Sequence, residues 1–92
     1  GKRDIAIIGY TGTGGDVVIP SAIDGKPVVY IGYGAFYEIS TLTSVIIPDS
    51  VTSIGHHAFA YCSALTRAYF DGNAPTMGTA VFNGSASNFK AI

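Results

Sequence analysis

At 92 residues the chain is a single domain near the lower end of the usual size range, burying about 60 to 65 % of its unfolded surface, which makes for a thin core. Charged residues make up 12 % and the net charge is −1, so the surface reads as neutral and polar, with no cluster of Lys and Arg to meet the phosphates of a nucleic acid. No apolar run approaches the roughly 18 residues that span a bilayer, no basic segment runs into an apolar one as in a signal peptide, and the lone Cys62 excludes an intrachain disulfide.

Gly1 to Asp4 is polar and expected to fray, with Gly1 read as a cloning remnant. Ile5 to Ile8 and Val17 to Ile19 are short β-branched runs joined by the Gly-rich Thr11-Gly12-Thr13-Gly14-Gly15. That pattern predicts a hairpin, or at least two neighbouring strands. We read residues 1–19 as an N-terminal β cap for the first unit of a stack.

From there the chain repeats itself. Ala35 to Gly55 reads AFYEISTLTSVIIPDSVTSIG, and 23 residues on Ala58-Phe59 answers Ala35-Phe36 and Leu65-Thr66 answers Leu42-Thr43. A worn third copy stays in phase, with Met77-Gly78 after Ile54-Gly55 and Val81-Phe82 after Ala58-Phe59. A fixed period of this size implies stacked supersecondary units. Ile19-Pro20 answers Ile47-Pro48 at 28 instead, and Asp24-Gly25-Lys26-Pro27 spells the surface turn that absorbs the five extra residues.

Each unit has the same parts. In Leu42-x-x-Val45-x-Ile47 the alternation turns Val45 and Ile47 inward and Ser44 and Ile46 outward. Pro48-Asp49 ends that strand, Val51 to Ile54 is a second extended segment, and the spacing of Ala58-Phe59-x-x-Cys62 predicts about one helical turn. The fold class is therefore a β-rich α/β repeat, a short solenoid of about three rungs with an N-terminal β cap. Its repeats span 20–70, and 71–92 is either a C-terminal cap or the point where a longer array is cut. Stacking predicts inward ladders of Phe36, Phe59 and Phe82; Leu42 and Leu65; Val17, Val45 and Ala68; Ile19, Ile47 and Phe70; Ile31, Ile54 and Met77; and Ile39 over Cys62.

Residues that could carry chemistry read more plainly as structure. His56 and His57 are adjacent, so their side chains diverge, and no Cys, His or carboxylate cluster accompanies them; a solvated corner is expected rather than a metal site. Cys62 takes the slot of Ile39 one rung earlier, which argues for a core residue and against a nucleophile. Gly9 to Gly15 contains no Lys and leads into a strand, unlike a phosphate-binding loop. Asn83-Gly84-Ser85 fits the N-glycosylation sequon, a weak three-residue match that is meaningless if the source is bacterial. No catalytic residues, metal site or cofactor are assigned.

One surface remains. Successive rungs present Asp16 and Val18, then Ser44 and Ile46, then Arg67 and Tyr69 on the outward strand face. Val18, Ile46 and Tyr69 form an apolar stripe where water is expected, and such patches, with Tyr and Arg among them, mark binding surfaces. The plain alternative is that β-branched and aromatic residues favour strands.

The segment LTSVIIPDSVTSIGHHAFAYCSALT at Leu42 to Thr66 resembles the BspA-type leucine-rich repeat, with its Ile-Pro, Ser-Val-Thr-Ser-Ile-Gly, Ala-Phe and Cys-x-x-Leu elements, and YTGTGGDVVIPSAIDGKPV resembles the opening segment of such domains. The likeness covers about residues 10 to 70 and decays toward Phe82. Ile39 in the Cys position and His56-His57 depart from the pattern. The resemblance implies a curved solenoid on secreted or surface-attached proteins, chiefly bacterial, with adhesion and protein binding as the usual roles and no catalytic residue. Two readings follow: a protein-interaction module that meets a host or bacterial surface protein through the strand face, or spacer rungs of a longer array with no ligand of their own. Open solenoid ends also leave strand edges through which the chain could self-associate.

Overall fold

The computed structural model describes residues 4–92, so of the polar start Gly1 to Arg3 lie outside the described residues. The strands are, in order, β1 (Ile5–Ile7), β2 (Gly15–Val18), β3 (Ala22–Ile23), β4 (Lys26–Ile31), β5 (Leu42–Ile47), β6 (Ser53–Ile54), β7 (Arg67–Phe70), β8 (Thr76–Met77) and β9 (Lys90–Ala91). They form two parallel sheets, β1-β4-β6-β8 and β2-β5-β7-β9, with β3 added antiparallel to β4. The chain passes from a strand of the first sheet, through a turn segment, to a strand of the second, and does so about four times. The result is a β-solenoid, coiled as the period requires.

Register follows the repeat. Ile31 pairs with Ile54, Val45 with Ala68 and Ile47 with Phe70, each 23 residues apart, while Val17 pairs with Val45 across the longer interval. The five-residue excess is taken up by the β3–β4 hairpin. Its Asp24 and Gly25 have φ of 52° and 76°, the two left-handed positions that suit an Asp-Gly turn to the twist of its strands.

The two runs expected to form a hairpin do not pair. β1 joins β4 in one sheet and β2 joins β5 in the other. Each run finds its partner one rung onward, where the matching register lies, and not across the short glycine loop between them.

The third side holds no helix among the described residues; the expected helical turn at Ala58-Phe59-x-x-Cys62 is a run of turns. Its amides alternate in destination. Ala58 and Ala60 donate back three residues to the Gly55 and His57 carbonyls, whereas His57, Phe59 and Tyr61 donate to Thr79, Val81 and Asn83 of the next rung at 2.6 to 3.0 Å. Beyond its first turn a helix bonds its amides within itself; here three of these five stitch the coils together. Left-handed residues set this path, at Gly34, His57 and Ala80 in one column and Glu38, Tyr61 and Gly84 in the other, with φ between 56° and 77°. Two such residues four apart interrupt any right-handed helix.

Where the turns leave the first sheet, the coils approach closely. A β-carbon on Gly55 would stand 2.7 Å from the Tyr33 nitrogen and 2.9 Å from the Gly32 carbonyl carbon. Gly78 meets Gly55 and His56 in the same way. Only a residue without a side chain fits this column.

Inside, the ladders close into one apolar core that includes Leu42, Val45, Ile47, Ile54, Leu65 and Ala68. The Phe36, Phe59 and Phe82 rings stack at 4.8 and 5.3 Å between centroids, nearly parallel. Tyr10 covers the Phe36 end at 4.9 Å and Phe89 covers Phe82 at 4.9 Å. Burying each aromatic ring contributes about 2 kcal/mol, so this spine supplies a large part of the driving force for a small domain. Met77 departs from the expected ladder and is exposed, because β8 is the edge of its sheet and no further strand covers it among the described residues.

Candidate functional site

The outward face of β2, β5, β7 and β9 brings the six expected residues together. Parallel pairing aligns Asp16, Ser44, Arg67 and Lys90 in one row and Val18, Ile46 and Tyr69 in the next. Lys90 escapes the sequence pattern because β9 lies in the worn part of the repeat, where the phase is hard to carry forward. Val18 is 66 % exposed, while Ile46 and Tyr69 are half-buried by their neighbours on the sheet. The apolar row is continuous and open to water.

One end of the polar row is hydrogen-bonded. The Ser44 and Thr43 hydroxyls donate to Asp16 Oδ1 at 2.7 and 3.0 Å. The Ser44 bond, then the Thr43 bond and the nearby Arg67 charge, hold the Asp16 carboxyl below its usual range, against a smaller opposing effect of desolvation. Asp16 is thus a fixed anionic acceptor at one side of the row, with Arg67 and Lys90 at the other. A concavity of about 320 Å³ lies beside these cations, lined by Thr66, Arg67, Asn88 and Lys90.

A second arrangement lies on the turn side. Tyr33 and Tyr37 from one coil and His57 and Tyr61 from the next surround a cleft of about 380 Å³ with Gly34 at its wall. Tyr33 meets His57 edge to face at 5.8 Å and 70°, and Tyr37 meets Tyr61 at 5.6 Å and 90°. All three tyrosines are substantially exposed. This cleft escapes the period because it joins non-equivalent positions: His57 and Tyr61 repeat Gly34 and Glu38, not Tyr33 and Tyr37. The readable signal lies in those columns, where Gly34 and Gly84 mark backbone that a side chain rarely adopts.

The histidines separate as adjacent residues should. His56 is exposed, with its Nδ1 accepting the Thr79 amide at 2.7 Å. His57 is not the solvated corner expected: it is half-buried in the cleft, its Nδ1 enclosed and without a hydrogen-bond partner. Left-handed backbone turns its ring back against Tyr33 instead of outward. Among the described residues no group of three or more His, Cys, Asp or Glu could hold a metal ion.

Cys62 lies in the core, its thiol donating to the Phe36 carbonyl at 3.0 Å. Burial pushes its pKa up, partly offset by a backbone bond from Ile39. The Gly-rich loop wraps Tyr10: the Gly14 amide donates to the Tyr10 hydroxyl at 2.9 Å and the Gly15 amide to the Thr41 carbonyl. Its glycines serve the turn that brings Tyr10 over the phenylalanine stack. No helix among the described residues is long and apolar enough to cross a membrane.

Comparison with known proteins agrees with this geometry. The model of the BspA type leucine rich repeat region matches residues 17–92 in six copies. A leucine rich cell surface protein from Faecalibacterium prausnitzii A2-165 superposes with a TM-score of 0.82 and 34 % identity over 99 % of this chain and 26 % of its own. The leucine rich repeat protein of T. pallidum gives 0.69 and 29 % identity over 98 % of this chain and 56 % of its own. The chain thus spans about a quarter of the first structure and just over half of the second. No curated protein matches it.

Proposed function

Because the chain belongs to the BspA-type leucine-rich repeat family, we propose that it is a non-enzymatic interaction module of a secreted or cell-surface protein, binding a protein partner through the outward face of β2, β5 and β7. The observation that carries this reading is the alignment of Val18, Ile46 and Tyr69 across three adjacent strands. An apolar row of this kind gives a partner area to bury, and the row beside it, where Asp16 accepts from Ser44 and Arg67 follows in register, gives charge and polarity to set register. The surface location of the F. prausnitzii protein supports the same placement for this chain.

The partner expected is a folded surface protein of host or bacterium. Immobilised chain is compared with the Ile46→Ser/Tyr69→Ser double variant for capture of such proteins, with circular dichroism to confirm the fold. Interface aromatics contribute strongly, so the double variant should lose capture by tenfold or more. Undiminished capture by a folded variant removes this face from consideration.

A second reading is favoured by the chain's coverage of only 26 % of the F. prausnitzii protein. On it, these coils are spacer rungs of a longer array and the strand face has no ligand. Wild type and double variant would then behave alike in every capture experiment, with neither retaining a partner.

A further inference from the structure

We propose that the cleft formed by Tyr33, Tyr37, His57 and Tyr61 is a binding site for a quaternary ammonium group, such as the trimethylammonium head of choline. The site lies on the turn side and does not depend on the strand face.

Backbone conformation gives the first reason. His57 and Tyr61 both have positive φ, at 57° and 59°, in columns that adjoining coils fill with Gly34 and Ala80 and with Glu38 and Gly84. Bulky residues in that region are strained, and such strain clusters where a side chain must be presented to a ligand. The same φ recurs at Glu38 and Ala80 in these columns, but only at His57 and Tyr61 does it present a ring, and both rings line the cleft. The coil beyond makes room for one of them, since a β-carbon on Gly84 would stand 2.6 Å from Tyr61 Cδ1.

Ring geometry selects the ligand. Tyr37 and Tyr61 stand at 90° and Tyr33 and His57 at 70°, so the walls meet at corners. A flat sugar ring stacks on one open aromatic face. A rounded trimethylammonium group instead fits among several rings set at steep angles and is attracted by those π-faces that border the cleft.

Charge points the same way. Among the described residues no Lys or Arg lines the cleft. The Tyr37 hydroxyl is held above its usual pKa, first by desolvation, then by the Glu38 carboxylate and the hydroxyls of Tyr61 and Tyr33. Three phenols therefore line the cleft, with the Glu38 carboxylate next to Tyr37 in the chain adding negative charge nearby. Aromatic faces at a partly exposed site support a dissociation constant on the order of 1 mM for choline alone.

Choline chloride is titrated into the full chain and followed by backbone amide NMR at Gly34, Tyr37 and Tyr61. Saturable shifts confined to those amides are expected, with 3,3-dimethylbutan-1-ol, the uncharged isostere, binding at least tenfold more weakly. Tyr61→Phe keeps the ring and should bind within a few-fold of wild type. Tyr61→Gly removes it at a position where glycine is at ease, and should lose binding at least tenfold with no fall in thermal midpoint. Tyr37→Leu is the second ring deletion, read in the same way. Co-sedimentation with phosphatidylcholine vesicles, in addition to choline binding, assigns the group to a lipid head; choline binding without sedimentation assigns it to a soluble or polymer-borne source. The proposal is overturned if choline gives no saturable shift at these amides, if the uncharged alcohol binds equally well, or if folded Tyr61→Gly and Tyr37→Leu both bind choline like wild type.

Discussion

The Phe59 ring lies face to face on Phe36, 4.8 Å away and 16° from parallel, although the two residues belong to different coils. With Phe82 at 5.3 Å on its other side, Phe59 is the fully buried centre of the aromatic spine. Truncating a buried Phe to Ala costs about 3 to 5 kcal/mol, and a domain of this kind holds about 5 to 15 kcal/mol in all. Phe59→Ala should therefore lose a large share of the stability in urea unfolding. Phe82→Ala, at a half-buried ring, should lose less, and equal losses would contradict a spine whose centre carries the most contact.

The glycine corner makes a sharper demand. Gly55→Ala would place a β-carbon 2.7 Å from backbone of the preceding coil, where no flexible side chain can yield. Overpacking of this kind costs about 1 to 3 kcal/mol. Gly9→Ala is the control, since a β-carbon there would find nothing within 4 Å and the Gly9 φ is not positive. Thermal unfolding should show a large drop for the first and almost none for the second.

Acid should act on the strand face through Asp16. Its folded pKa lies below the ordinary 3.8, so ionisation stabilises the fold at pH above that value. That contribution fades as pH falls from about 4 through the lower folded value. Carbon-13 NMR of the side-chain carboxyl should give a midpoint below 3.8, and Ser44→Ala, which removes the strongest bond, should move it upward. A midpoint at or above 3.8 in the wild type would mean that the Ser44 and Thr43 bonds do not persist in solution.

What the sequence made legible was whatever obeys the period. Phe36, Phe59 and Phe82 could be stacked, and Val45 set beside Ala68, because identical coils put equivalent residues in contact. The row of Asp16, Ser44 and Arg67 followed from the same register. What stayed hidden depended on relations between unlike positions. The spacing of Ala58, Phe59 and Cys62 fits a helical turn as well as an irregular one, and only the left-handed His57 and Tyr61 decide between them. The partners of β1 and β2 were obscured by their closeness in sequence, which suggests a hairpin; pairing instead goes to the next coil. The Tyr33, Tyr37, His57 and Tyr61 cleft was invisible for the same reason, since it is diagonal to the repeat.

Cys62 should be chemically quiet while the chain is folded. Its thiol is buried, donates to the Phe36 carbonyl, and is pushed toward the protonated form by that burial. Thiolate, not thiol, attacks alkylating reagents and disulfides. Iodoacetamide at pH 8 should therefore label it only as fast as the fold opens, with full labelling in denaturant. Rapid labelling of native protein would show that the turn face above Ile39 is far looser than its hydrogen bonds imply.

The left-handed columns lead to a stabilising change. Ala80 has a φ of 56°, where a β-carbon crowds the following carbonyl, while Gly34 holds the equivalent place two coils earlier. Releasing that crowding gains about 1 to 2 kcal/mol, and the added freedom of glycine in the unfolded chain takes back about 0.4 to 1 kcal/mol. The balance favours Ala80→Gly by roughly 0.5 kcal/mol, or a few degrees in a domain of this length. Ala80 lies outside the tyrosine cleft, so choline titration should be unchanged in the same variant. A clear fall in its thermal midpoint would mean that the alanine methyl packs more tightly than its partly exposed position suggests, and that the backbone there is not under strain.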